Sequence, residues 1–129
     1  MLARLEMPEP KTGEEIELPL EKLSTKKGTS AVYQLRFPKI GRYELVFRMS
    51  STLGELAQLP ISVFLNNTLQ QTVTLNGTEG QTMERVVTLP IRQDGEKYMK
   101  LYFGESGIDM RRMFLRYVGK NDIESIRNE

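Results

Sequence analysis

Residues 30–49 read Ser-Ala-Val-Tyr-Gln-Leu-Arg-Phe-Pro-Lys-Ile-Gly-Arg-Tyr-Glu-Leu-Val-Phe-Arg-Met. Two runs alternate apolar and polar side chains on either side of a Pro38-Lys39-Ile40-Gly41 turn. The first sets Ala31, Tyr33, Leu35 and Phe37 on one face and Val32, Gln34 and Arg36 on the other. The second turns Tyr43, Leu45, Phe47 and Met49 inward and Arg42, Glu44 and Arg48 outward. Successive side chains of a strand point to opposite faces, so a period of two marks strands with one buried face and one wet face. The pair predicts antiparallel strands at the edge of a β-sandwich or barrel.

The alternation recurs on both sides of this pair. Residues 14–20 set Ile16, Leu18 and Leu20 against Glu15 and Glu17, a first strand that Pro19 interrupts late. Ile61, Val63 and Leu65 alternate with Ser62 and Phe64. Asn66-Asn67 then predicts a tight hairpin, because Asn tolerates positive φ. A return strand covers 69–75, and Asn76-Gly77-Thr78-Glu79-Gly80 is the strongest turn signal in the chain. Residues 82–91 place Met83, Val87, Leu89 and Ile91 on one face. After Asp94-Gly95, residues 97–103 oppose Met99, Leu101 and Phe103 to Tyr98, Lys100 and Tyr102, and 110–118 read as a last strand.

About eight short strands without a sustained helical period predict an all-β fold, an antiparallel β-sandwich of the jelly-roll kind. Its expected core holds Tyr43, Leu45, Phe47, Val63, Leu101 and Met113. The expected domain covers 14–118. Residues 1–13, polar and rich in proline, read as a linker or chain boundary, and 119–129 as a polar tail that frays or forms one short helix.

Composition narrows the function. At 129 residues the chain is one domain, long enough to bury a core without staples. Eighteen basic against 17 acidic residues leave a net charge of +1. Nucleic acid is therefore not expected as a partner, since that binding needs clustered cations. Nor is a membrane, since no run approaches the ~18 apolar residues of a spanning helix. The chain has no Cys and no His, which excludes thiol nucleophiles, Ser–His triads and Cys/His zinc sites. Glu79, Glu84, Asp94, Glu105 and Asp109 are candidate carboxylates for glycoside hydrolysis, which needs two. No spacing marks a pair, so the expectation is a protein that is not an enzyme and holds no cofactor.

Several pieces stand in a recognisable order. A strand over 32–37 leads into Pro38-Lys39-Ile40-Gly41-Arg42-Tyr43, then into Arg48-Met49-Ser50-Ser51. A strand over 61–65 ends at Asn66-Asn67, Gly80-Gln81-Thr82-Met83 precedes a strand over 86–91, and Gly107-Ile108-Asp109-Met110-Arg111-Arg112-Met113 closes the set. In this order they resemble the family 6 and family 35 carbohydrate-binding modules, β-sandwich jelly rolls of the galactose-binding-like group. The resemblance covers residues 14 to 118.

The resemblance implies a non-catalytic module that binds a polysaccharide or sugar weakly. It implies further that the module belongs to a larger glycan-degrading enzyme, secreted or at the cell surface, with the catalytic domain of the same polypeptide as its neighbour. Such modules usually grip a sugar ring between two aromatic side chains at one end of the sandwich. One comes from the loop before the Tyr33 strand and one from the segment around Met83, and a polar Asn of the last loop completes the site. Here residues 22–30 hold no aromatic, Met83 stands in the second ring's place, Asp109 stands at or beside the Asn, and the chain has no Trp.

The expected ligand set is therefore Asp109, Arg111 and Arg112, whose charged groups hydrogen-bond hydroxyls in pairs, with Met83 at the floor. Tyr98 and Tyr102, two residues apart on one strand face with Lys100 between them, form a second candidate platform for stacking a sugar. The other reading takes the charges as ordinary surface and the tyrosines as a face packed under a neighbouring domain. On that reading the jelly roll has lost sugar binding and serves as a structural or protein-interaction domain. The resemblance also implies a structural calcium between acidic residues of the first strand and an Asp near the start of the last. Glu15 and Glu17 match the first part, but Arg111 stands where the Asp would be. The expectation is no metal, and an ion pair from Arg111 or Arg112 to Glu15 or Glu17.

Overall fold

A computed structural model of the chain describes residues 1–119. The expected fraying or helix over 120–129 lies outside the described residues. Among the described residues nine strands form: β1 (Leu2–Glu6), β2 (Glu15–Glu17), β3 (Ser30–Phe37), β4 (Gly41–Ser50), β5 (Gln58–Leu65), β6 (Thr68–Asn76), β7 (Met83–Ile91), β8 (Gly95–Phe103) and β9 (Asp109–Gly119). A five-stranded sheet of order β1-β3-β8-β5-β6 packs against a four-stranded sheet of order β2-β9-β4-β7. This is the expected β-sandwich.

The core lies where the alternation placed it. Tyr43, Leu45, Phe47, Val63, Leu101 and Met113 are fully buried between the sheets. The Pro38 to Tyr43 segment is a corner built around rings. The Tyr43 hydroxyl donates to the Lys39 carbonyl at 2.9 Å, closing the turn behind Pro38. Its ring meets Phe37 edge-on and Tyr117 at a tilt, both with centroids 5.0 Å apart. Gly41 is required there, because a Cβ would sit 2.4 Å from the Tyr117 ring. Tyr33, also fully buried, donates to the Pro19 carbonyl at 2.6 Å. Burial disfavours the charged phenolate, so the Tyr33 and Tyr43 hydroxyls are each pushed up to about 12. The Asn66-Asn67 hairpin forms as expected, with both residues at positive φ.

Three differences have physical causes. Residues 2–6, expected in a linker, form β1 and pair in parallel with β3, Leu2 opposite Val32 through Glu6 opposite Arg36. Five residues before Pro8 and Pro10 carry too weak an alternation to stand alone, and what makes them a strand is a partner thirty residues away. That strand raises the count to nine. The first expected strand shortens to β2, although Ile16 and Leu18 are buried as its pattern required. Val46 and Phe114, on the outer face of the four-stranded sheet, are also fully buried. The Arg48 and Arg112 guanidinium groups lie over the Phe114 ring at 5.6 and 4.1 Å, so long cationic side chains roof an apolar strip.

Candidate functional site at the loop end

Four connections gather at one end of the sandwich: residues 18–29, 51–57, 77–82 and 104–108. Two of them are pinned to each other. The Ser51 amide donates to the Thr78 hydroxyl oxygen at 2.8 Å, and that hydroxyl donates to the Ser51 carbonyl at 3.0 Å. The Gly80, Glu79 and Gly77 amides donate to the carbonyls of Ser51, Leu53 and Ala57 at 2.7, 3.1 and 3.1 Å. Gly77 fits because it lacks a side chain: a Cβ would stand 2.0 Å from the Gly54 carbonyl oxygen. Glu79 is held in the left-handed region at φ 52°, a conformation that non-glycine residues adopt only when neighbours enforce it. The other two connections meet through Thr25, which donates to the Ile108 carbonyl at 2.6 Å, and the Lys27 amide, which donates to Ser106 at 2.8 Å.

Beside the pinned loops lies a cleft of about 350 Å³, lined by Glu55, Asn76, Gly77, Thr78, Glu79, Gln81, Met83 and Arg85. Two amides, two carboxylates, a hydroxyl and a guanidinium offer both donors and acceptors, the set that sugar hydroxyls need. Met83, 39% exposed, supplies the apolar surface. None of the lining residues is aromatic.

The structure brings some of the expected site residues together and separates others. Met83 lines the cleft. Asp109 stands opposite Ser50 and Met110 opposite Met49, whose other neighbour is Met83, so these residues share one end of the four-stranded sheet. There Asp109 pairs with Arg111 at 3.2 Å, and the Arg111 Nε donates to the Ser50 hydroxyl at 3.1 Å. Arg112 lies elsewhere, on the outer face of the same sheet, bonded to Glu15 and Glu17. The β4–β9 ladder pairs Arg48 with Arg112 and Met49 with Met110, so the register shift between them leaves Arg111 without a partner on β4. Tyr98 and Tyr102, 48% and 41% exposed, lie on the outer face of the five-stranded sheet. Lys100 between them reaches over the Phe64 ring at 4.6 Å. Sequence reasoning missed Glu55, Asn76, Gln81 and Arg85 as a group. Their nearest signal was the Asn76 to Gly80 turn, which marks a loop without saying what it faces.

No protein-family model matches the chain. Over 104 residues, 81% of its length, it is 26% identical to a β-glucosidase of Ruminococcus albus, of which it spans 11%. A solved β-glucosidase from Paenibacillus barengoltzii superposes on 88% of the chain with a TM-score of 0.60 and 16% identity, and 11% of that enzyme is covered. A family 35 carbohydrate-binding module from Clostridium thermocellum superposes with a TM-score of 0.60 at 13% identity, covering 78% of this chain and 86% of the module. The fold is that of the family 6/35 carbohydrate-binding modules. The module-like sandwich thus accounts for nearly the whole of one neighbour and about a tenth of each β-glucosidase.

Proposed function

We propose that this chain is a non-catalytic carbohydrate-binding module of a larger, extracellular glycan-degrading enzyme. It tethers the catalytic domain of its polypeptide to a polysaccharide, raising the effective concentration of substrate instead of doing chemistry. The observation that carries this reading is the polar cleft at the loop end of a sandwich of this type. Asp109 and Arg111 extend its hydrogen-bonding rim along the same sheet end, and Tyr98 and Tyr102 offer a separate stacking surface on the opposite sheet. Without a ring in the cleft, binding rests on exposed hydrogen bonds of about 0.5–1.5 kcal/mol each. A few of these give dissociation constants of about 1 mM.

The test is an amide NMR titration with xylan, galactan and mannan oligosaccharides at millimolar concentration. The amides of Gly77, Thr78, Gln81 and Met83 should move, and the movement should vanish in Arg85→Ala. Spectra that stay fixed with all three glycans would remove the cleft as a sugar site.

One observation favours the second reading, a protein-interaction domain. Leu56, next to Glu55 of the cleft, is 93% exposed, and a protruding aliphatic side chain suits a protein surface better than a sugar. On that reading Leu56→Ser loosens contact with the neighbouring domain, and the glycan titrations show nothing.

A further inference from the structure

Glu15 and Glu17 project from one face of β2, a strand of three residues at the edge of the four-stranded sheet. Two carboxylates so close repel each other, and a cation between them relieves that repulsion. Arg112 of β9 supplies it: Nη2 donates to Glu15 at 2.8 Å and Nε donates to Glu17. The guanidinium carbon stands 4.1 Å from the centroid of the Phe114 ring, so an aromatic face sets the plane in which the fork reaches both carboxylates. The hydrogen bonds that Arg112 donates to Glu17 and then to Glu15 raise its pKa above the ordinary value.

The calcium that the resemblance implies belongs between these same strands, and the residues do not fit it. Calcium takes six to eight oxygen ligands. Among the described residues, no group of three or more His, Cys, Asp or Glu side chains could hold a metal ion. The position on β9 that would complete the set is Arg111, which has no acceptor atom and is engaged with Asp109 and Ser50. A dication between Glu15 and Glu17 would also have to displace a guanidinium already bonded to both.

We propose that the Arg112 guanidinium takes the place of that ion, so that the chain carries its own cation to fasten β2 onto β9 and folds independently of calcium. A lysine is not equivalent, since a point charge cannot lie flat on Phe114 and reach both carboxylates at once. A backbone reporter of this fastening is the Leu18 amide, which donates to the Met113 carbonyl at 2.9 Å just past β2.

The experiment uses the full chain in millimolar calcium chloride and in EDTA, reading thermal unfolding and hydrogen exchange at the Leu18 amide. The unsubstituted protein should melt at the same temperature in both. Arg112→Gln should melt a few degrees lower in both, and its Leu18 amide should exchange several-fold faster. Arg112→Lys should fall between the two. High sodium chloride should speed Leu18 exchange in the unsubstituted protein and leave Arg112→Gln unchanged. A melting temperature that rises in calcium, or an Arg112→Gln protein that melts and exchanges like the original, would overturn the proposal.

Discussion

Phe47 sits between the sheets with no exposed surface, and replacing it with Ala removes a ring from a close-packed layer. Phe47→Ala should cost about 3–5 kcal/mol, read from the midpoint of urea unfolding. Tyr43→Phe keeps the ring and deletes one hydrogen bond to the Lys39 carbonyl, so it should cost about 1 kcal/mol. At the binding end the informative change is a gain. Met83→Trp places a ring where the cleft has none, and stacking worth about 0.5–1.5 kcal/mol should tighten sugar binding about two- to twelvefold. At this scale the inward residues were legible because alternation states directly which side chains face the core. Val46 and Phe114 were not. They occupy outward positions, and what buries them is the reach of Arg48 and Arg112 across the strands. Only the assembled sheet shows that.

Among elements, the strands from β3 to β9 were readable with shifts of one to three residues at their ends, the largest at the start of β5, because each carries its own period of two and its own turn. β1 was not, since its pairing with β3 is parallel and joins distant segments. The candidate cleft was legible only at Met83. Its other walls come from loops, where no periodicity says which side chains converge, and the close approach of Gly77 to Gly54 is invisible in a turn signal. That approach makes a prediction. The atoms a Cβ at Gly77 would meet are backbone, at 2.0 to 2.6 Å, so no side chain can swing aside. Gly77→Ala should force the loops over 51–57 and 77–82 apart and cost about 1–3 kcal/mol in urea unfolding. It should also abolish any sugar-induced movement of the Thr78 and Gln81 amides.

For the whole molecule, Tyr33 and Tyr43, the two tyrosines with no exposed surface, set an alkaline limit. In the unfolded chain each hydroxyl titrates near 10, and in the fold at about 12. The neutral forms favour the fold, so this contribution is complete below pH ~10 and is lost as pH rises towards ~12. Two pKa units correspond to about 2–3 kcal/mol for each tyrosine. Denaturant midpoints should fall steeply across that range, and less steeply in Tyr43→Phe, which lacks one of the two groups. The sandwich also has a temporal property. The four-stranded sheet joins β2 to β9 across 97 residues, the separation of Glu15 and Arg112. Until β9 has been synthesised, β2 has no partner and one edge of β4 is open. At about 5–20 residues per second, the stretch from Ile91 to Gly119 takes roughly one to six seconds to leave the ribosome. Throughout that interval the open edge of β4 carries unpaired N–H and C=O groups, a template for pairing with another chain. Soluble yield should therefore depend on how crowded those seconds are, through chaperone supply and expression rate, more than on the stability of the finished fold.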